Sequence, residues 1–259
     1  LSTFEKWFSL DSQVALVTGA GSGLGRAIAL GLAEAGADIV CCGRRLQNLD
    51  ETCNLIERTG RRALAIETDV GSSKQVKDSV AKAAVWQGRI HILVNGAGVM
   101  QGVSSLSTTE EEWNNVIRTN LNGTFLCSQA VAAHMIERGS GKIINVGSIF
   151  GSMGTTHCLA YSCSKAAIDE MTRSLAVEWA RYAICVNAIL PGHFETDMSA
   201  GILSDPKTSK RIFERMPIRR AGRPDELKPL AVYLASRSSD YVTGQTFCID
   251  GGYSMALYY

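Results

Sequence analysis

Thr18-Gly19-Ala20-Gly21-Ser22-Gly23-Leu24-Gly25 lies between an apolar run, Val14 to Thr18, and a stretch of helical period, Leu24 to Glu34. A strand that turns on glycines into a helix is the phosphate-binding turn of a βαβ unit. The small residues let the backbone turn tightly and let a pyrophosphate approach the amides at the helix N-terminus. The spacing is TGxxxGxG rather than the commoner GxGxxG. Gly19, Ser22, Gly23, Leu24 and Gly25 are therefore expected to face a dinucleotide; the bland alternative is a turn that only caps a strand.

The alternation begun there continues almost to the C-terminus. Strands are predicted from Val14 to Thr18, Asp38 to Cys42, Ala63 to Glu67, Ile90 to Val94, Lys142 to Val146, Ile184 to Ala188 and Thr246 to Ile249. Helices are predicted from Leu24 to Glu34, Leu46 to Thr59, Ser73 to Trp86, Glu110 to His134, Tyr161 to Tyr182 and Asp225 to Ala235. Crossovers this long exclude hairpins and imply parallel pairing with helices on both faces. The expected fold class is α/β: a Rossmann-like, doubly wound, seven-stranded parallel sheet in one domain over residues 1–259. Pro191 to about Arg223 reads as irregular and too long for a connector, so 191–223 is expected to form a substrate loop or lid.

Composition narrows the function. The chain has 259 residues, 46% hydrophobic, with 26 Lys plus Arg against 25 Asp plus Glu, a net charge of +1. That balance excludes a nucleic-acid partner, which would demand a basic excess. No apolar run approaches the 18 or so residues of a membrane span, so no membrane partner is expected. Leu1 to Leu10 is amphipathic and carries Glu5 and Lys6, unlike a signal peptide, and a cytoplasmic protein is expected. Cys41, Cys42, Cys53, Cys127, Cys158, Cys163, Cys185 and Cys248 form no CxxC and read as reduced core thiols. His91, His134, His157 and His193 show no helical ligand spacing, so no metal is expected.

The end of the second predicted strand reports on the cofactor ribose. Instead of a carboxylate it carries Cys41-Cys42-Gly43-Arg44-Arg45, with no acid before Asp50. A guanidinium can clamp a 2′-phosphate bidentately, which favours NADP(H) through Arg44. If Arg44 only stacks on adenine or faces solvent, NAD(H) stays possible. Asp69, with Val70, is placed to meet the adenine edge or to cap the helix that follows.

A second group of residues carries reactive chemistry. Tyr161 and Lys165 are four apart at the start of a predicted helix and share a face. Ser148 lies just past a buried strand, in Asn145-Val146-Gly147-Ser148. Asn120 interrupts the apolar run Val116, Ile117, Leu121, Phe125, where a buried amide needs a partner. A free tyrosine ionises near pH 10, too high for a proton shuttle at neutrality. A nearby ammonium, together with the positive charge of an oxidised nicotinamide, favours the phenolate, which can then exchange a proton with a carbinol or carbonyl oxygen. Ser148 would hydrogen-bond that oxygen.

On these residues the chain resembles the short-chain dehydrogenase/reductase family over nearly its whole length. The matching stretches are Thr18 to Gly25, Asn95-Gly96-Ala97-Gly98, Asn120, Ser148, Tyr161 to Lys165, and Pro191-Gly192 with Thr196 and Asp197. The resemblance implies a catalytic tetrad of Asn120, Ser148, Tyr161 and Lys165, with Asn120 positioning a water between Lys165 and solvent. It implies cofactor contacts from Asn95, Ala97, Gly98, Tyr161, Lys165, Pro191, Gly192, Phe194 and Thr196, and a homotetramer. One departure is Gly96, where the family commonly has Asn; it puts a side-chain role there in doubt.

The implied reaction interconverts a ketone and a secondary alcohol by hydride transfer. Nearness to the motifs places Met100, Met153, His157, His193, Met198 and Leu203 over the pocket mouth, with Ser148, Met153, Tyr161, His193 and Met198 as substrate candidates; each apolar one may equally fill the core. Phe8-Ser9-Leu10-Asp11 and the ending Ser239 to Gly252 resemble sugar-acid dehydrogenases of the gluconate 5- and 2-deoxygluconate 3-dehydrogenase type, and carbonyl reductases. A sugar acid needs a cation, and the loop offers Lys207, Lys210, Arg211 and Arg215, unless these are a solvated face. The alternatives are a β-ketoacyl-carrier-protein reductase and a dinucleotide sensor without catalysis; the intact Ser148, Tyr161 and Lys165 favour an enzyme. The apolar tail with Leu257, Tyr258 and Tyr259 suggests burial between subunits.

Overall fold

In the computed structural model, residues 2–256 are described; the expectation for Leu257, Tyr258 and Tyr259 lies outside them. β1 (Val14–Thr18) is buried at every position, as a strand covered on both faces must be. β2 (Asp38–Gly43), β3 (Ala63–Glu67), β4 (Ile92–Asn95), β5 (Gly141–Val146), β6 (Ile184–Pro191) and β7 (Thr246–Ile249) complete one sheet in the order β3-β2-β1-β4-β5-β6-β7. All six pairings are parallel, as expected. The order reverses between β1 and β4, and the crevice outside their C-terminal ends is where such sheets bind ligands.

Two apolar layers flank the sheet. On one face pack α2 (Gly23–Glu34), α3 (Leu46–Glu57) and α10 (Lys228–Ala235) around Ile28, Leu32, Leu49, Ile56 and Leu234. On the other lie α4 (Ser73–Gln87), α6 (Gly123–Arg138) and α7 (Leu159–Trp179), around Val76, Val80, Val131, Met135 and Trp179. Asp38, at the start of β2, is buried but held by Arg61 at 2.9 Å and Arg62 at 2.6 Å.

Two expectations need correction, and one element is added to those expected. The N-terminus forms a short helix, α1 (Thr3–Phe8), started by Ser2 and Glu5 bonding each other's backbone. The long helix from Glu110 is not regular: α5 (Glu110–Val116) and α6 are joined by a π-helical turn, Ile117–Asn122. The stretch after Pro191 is not irregular either. It holds α8 (Asp197–Leu203) and α9 (Pro206–Glu214), the second capped by the Asp205 carboxylate on the Thr208 amide at 2.9 Å.

The cysteines divide. Cys41, Cys42, Cys53, Cys127 and Cys158 are buried, whereas Cys163 and Cys248 are exposed and Cys185 is half-buried, all with free thiols. Among the described residues no cluster of His, Cys, Asp and Glu could hold a metal. His91 instead accepts the Val14 amide at 3.0 Å, and burial lowers its pKa to about 4. No helix among those residues is long and apolar enough to cross a membrane.

Candidate active site

The glycine turn is built for close approach. Gly19 has φ +70°, and a side chain there would meet the Gly96 carbonyl at 2.7 Å; one at Gly25 would run into the Gly19 carbonyl. The Thr18 hydroxyl accepts the Gly96 and Ala97 amides at 3.1 and 3.2 Å, drawing the loop after β4 against the turn. Gly96 follows from that closeness, since the first carbon of a side chain would sit 2.7 Å from the Thr18 carbonyl. Ser22 starts α2 without capping it, so the first-turn amides have no side-chain partner. A Cβ added at Gly23 would stand 3.5 Å from the Thr196 methyl, so the turn and the loop after β6 flank one cleft. Uncapped amides over a turn with no room for side chains fit a dinucleotide pyrophosphate.

At the far end of that cleft both Arg44 and Arg45 are exposed. The guanidinium of Arg45 reaches the Ser22 hydroxyl at 3.5 Å, while Arg44 lies near enough to Asp69 to lower its pKa. Asp69 does not cap α4; Ser72 does, accepting the Gln75 amide. The Asp69 carboxylate takes the Gly71 amide at 2.9 Å and Arg118 at 2.8 Å. Burial raises its pKa, but these bonds win and hold it below the ordinary range. Val70 is buried under Gly123.

Ser148 follows β5, and its hydroxyl accepts the Phe150 amide at 3.2 Å to open a single helical turn, Ile149–Gly151. Lys165 is 5% exposed, and its ammonium donates to the Val146 carbonyl at 2.6 Å and lies 5.6 Å from the Tyr161 ring centre. Burial lowers its pKa to about 8, opposed by the Asp169 carboxylate one helical turn away. For Tyr161 in the chain alone, burial raises the phenol's pKa, and the adjacent Ser148 hydroxyl pulls only partly the other way. In the chain alone this phenol stays protonated at neutrality.

Asn120 ties two segments of the site together. It is fully buried in the π turn, where its Oδ1 accepts the Val99 amide at 2.8 Å and its Nδ2 donates to the Val99 carbonyl at 2.9 Å and to Ser164 at 3.1 Å. Ser164 in turn donates to the Tyr161 carbonyl at 2.7 Å. The side chain is thus a clamp between the loop after β4 and the helix bearing Tyr161. Gly98 faces the gap between Asn120 and Lys165, with their polar atoms 3.5 and 3.7 Å from where a Cβ would stand.

Asn95 is likewise turned away from the cleft. Its amide donates to Ser128 and Asn145, each at 2.9 Å, and Asn145 donates to Thr172 at 2.9 Å, stitching β4 and β5 to α6 and α7. Phe194 is buried against Gly222, so only its backbone can face a cofactor. His193 is half-buried between the rings of Phe150 and Tyr253. Pro191 ends β6, and Gly192 donates its amide to Ile249 at 2.9 Å. Met153 follows the Ile149–Gly151 turn, Met198 is 48% exposed on α8 beside half-buried Leu203, His157 is exposed, and Met100 is half-buried after β4. Sequence reasoning did not foresee Ser164, Ser128, Thr172 or Tyr253: a serine or threonine in a helix carries no mark of its partner.

A family model described as enoyl-(acyl carrier protein) reductase matches residues 19–254. The 2-dehydro-3-deoxy-D-gluconate 5-dehydrogenase of Bacillus subtilis is 41% identical over 95% of this chain and 96% of its own. The gluconate 5-dehydrogenase of Gluconobacter oxydans is 36% identical over 96% of this chain and 98% of its own. Among solved structures, a gluconate 5-dehydrogenase from Burkholderia cenocepacia, in complex with NADP and tartrate, superposes with a TM-score of 0.95 at 37% identity, covering 98% of this chain and 100% of that one. Matches of this extent agree with the sheet order and the glycine turn, and the chain belongs to the short-chain dehydrogenase/reductase family of oxidoreductases.

Proposed function

We propose that the chain is an NADP(H)-preferring enzyme, with NAD(H) the weaker cofactor, that interconverts a ketone and a secondary alcohol on a polyhydroxylated acid. The observation that carries the reaction class is the meeting of Ser148, Tyr161 and Lys165 at the C-terminal edge of β5, beside the glycine turn. Gly19, Ser22 to Gly25, Ala97, Gly98, Lys165 and the Pro191–Thr196 backbone would hold the dinucleotide, with Arg44 and Arg45 at its ribose. When bound, it supplies or accepts the hydride.

The chain's own residues manage the proton. Tyr161, protonated at neutrality in the chain alone, gives its Oη proton to a carbonyl oxygen in reduction and is reprotonated from solvent through Lys165; in oxidation it first gives up that proton by the same route, and the phenolate then takes the alcohol's proton. Ser148 donates to the same oxygen and steadies the charge that develops on it. Lys165 has three donors and spends one on Val146, which leaves two for the ribose and for proton exchange. The polyhydroxy-acid class is supported by the gluconate-type names of both relatives and by the tartrate in the structural neighbour.

Tyr161→Phe tests the mechanism. Turnover should fall about 10²–10⁴-fold, while NADPH binding followed by fluorescence stays within about twofold; unchanged turnover removes the proton role. A panel of keto acids, neutral keto sugars and acyl thioesters, with NADPH and NADH, tests the substrate class. Self-association to a homotetramer belongs to the same proposal. Phe125 on α6 and Val177 on α7 are 44% and 83% exposed, apolar contacts for a second copy. Light scattering should give four times the 27.9 kDa chain mass, and a monomer mass would refute it.

A further inference from the structure

The lid's four cations differ in what surrounds them. Lys207 is exposed with no ion pair among the described residues, and Lys210 faces Glu214 at 3.8 Å, one turn along the exposed side of α9. Arg211 is exposed as well. Arg215, the residue that ends α9, stands apart: its guanidinium lies over the Tyr253 ring, 5.5 Å from the ring centre. Among the described residues no carboxylate lies within ion-pair distance of it. A cation stacked on an aromatic face is held in place with its in-plane donors still available, the geometry that suits bidentate capture of a carboxylate.

Tyr253 connects Arg215 to the reactive end of the cleft. Its ring meets His193 edge-on at 5.1 Å, and His193 meets Phe150 edge-on at 5.7 Å. Phe150 follows Ser148 by two residues and donates its amide to the Ser148 hydroxyl. The row is fixed from behind: Gly192 bonds Ile249, Ile218 bonds the Gly251 carbonyl at 3.2 Å, and Met216, 1% exposed, packs on Gly251. Within the row the Nε2 of His193 is buried with no hydrogen-bond partner, and an unpaired buried ring nitrogen calls for one.

An aromatic wall that carries an unpaired imidazole nitrogen part-way along and an unpaired guanidinium at its end matches one kind of molecule. C–H groups lie on the rings, a hydroxyl meets the imidazole, and a carboxylate meets the guanidinium. We infer that Arg215, held by Tyr253, is the carboxylate anchor that selects an acid over a neutral ketone, and that His193 bonds a hydroxyl between anchor and reacting carbon. This rests on the polyhydroxy-acid reading above and adds the residues that would enforce it.

The experiment compares the wild-type enzyme with Arg215→Gln, Arg215→Lys and the control Arg211→Gln, using 5-keto-D-gluconate and the neutral keto sugar D-fructose as probes with NADPH. In Arg215→Gln, KM for the keto acid should rise at least tenfold with kcat within about threefold, while kcat/KM for the neutral sugar changes less than twofold. Arg215→Lys should recover part of the loss, because it keeps the charge and gives up the fork. Arg211→Gln should match wild type. Added salt should raise the wild-type KM for the acid and not that of Arg215→Gln. Equal losses on both probes, with a lowered melting temperature, would mean that Arg215 only fastens α9 to the C-terminal segment, and would overturn the anchor. An unchanged KM for the acid would overturn it too. If wild type reduces the neutral sugar and no acid at all, the substrate class itself falls, a result read from wild type alone and separable from the variant data.

Discussion

Replacing Arg44 and Arg45 gives the most direct view of how this chain chooses its cofactor. Both guanidinia are exposed at the end of β2, and Arg45 already reaches the Ser22 hydroxyl on the glycine turn. The neighbouring carboxylates are committed elsewhere: Glu51 pairs with Arg26 at 3.1 Å and Asp69 with Arg118 at 2.8 Å. A 2′-phosphate would therefore meet two exposed cations, with these two carboxylates already paired to other arginines. A charge-assisted bond to an exposed guanidinium, discounted for solvent screening, is worth about 1–1.5 kcal/mol. Each single Ala variant should then lose about 5–10-fold in kcat/KM for NADPH, and the double variant about 30–100-fold, with NADH changed less than about twofold. Steady-state rates with both cofactors at low and high KCl measure this, and the NADPH advantage should shrink with salt in wild type alone. Parallel losses with NADPH and NADH would refute the reasoning, because the arginines would then bind what both dinucleotides share.

Other expectations follow from the buried groups. Asn120→Ala leaves the Val99 amide and carbonyl without partners and should cost about 2–4 kcal/mol; thermal melting should show it, together with a lower kcat as the helix bearing Tyr161 loses its tie through Ser164. Asp169 is 8% exposed with one oxygen unpaired, and burial raises its pKa to about 6 despite Arg173 and Lys165. A carboxyl whose folded pKa exceeds its unfolded value binds a proton on folding, so its cost is absent below about pH 4 and complete above about pH 6. Asp169→Asn should therefore stabilise by about 1–2 kcal/mol at pH 7.5 and by little at pH 4; equal melting shifts at both would refute the assignment.

The central sheet was legible because its strands announce themselves twice, by apolar runs and by the glycines or charged residues that end them. β1, β3 and β7 match their expected limits, and α2 starts one residue early at Gly23. The reactive residues were legible for a related reason: Tyr161 and Lys165 share a helix face, and Ser148 sits at a strand end, so local rules place them. What escaped depends on contacts between distant segments. Nothing near Asn120 says that its amide will meet Val99, and a π turn keeps the same apolar spacing as a helix to within one residue. The burial that raises the Tyr161 phenol in the chain alone also comes from distant segments, and sequence shows only the neighbouring lysine. The two helices after Pro191 were missed because both are short, α8 has little polar contrast and α9 has an outer face crowded with charge.

The neck of the segment between Phe194 and Gly222 has a consequence for how specificity can change. Phe194 and Gly222 form an isolated parallel bridge, with Glu195 donating to the Gly222 carbonyl and Gly222 to the His193 carbonyl, each at 2.9 Å. The excursion between these residues starts and finishes at one stapled point beside β6, so its ends stay fixed whatever lies between them. An insert with that property behaves as a cassette: its length and contents can be exchanged between relatives without moving the strands that carry the chemistry. Selection, or an engineer, can in this way rewrite what the enzyme accepts while leaving how it reacts untouched.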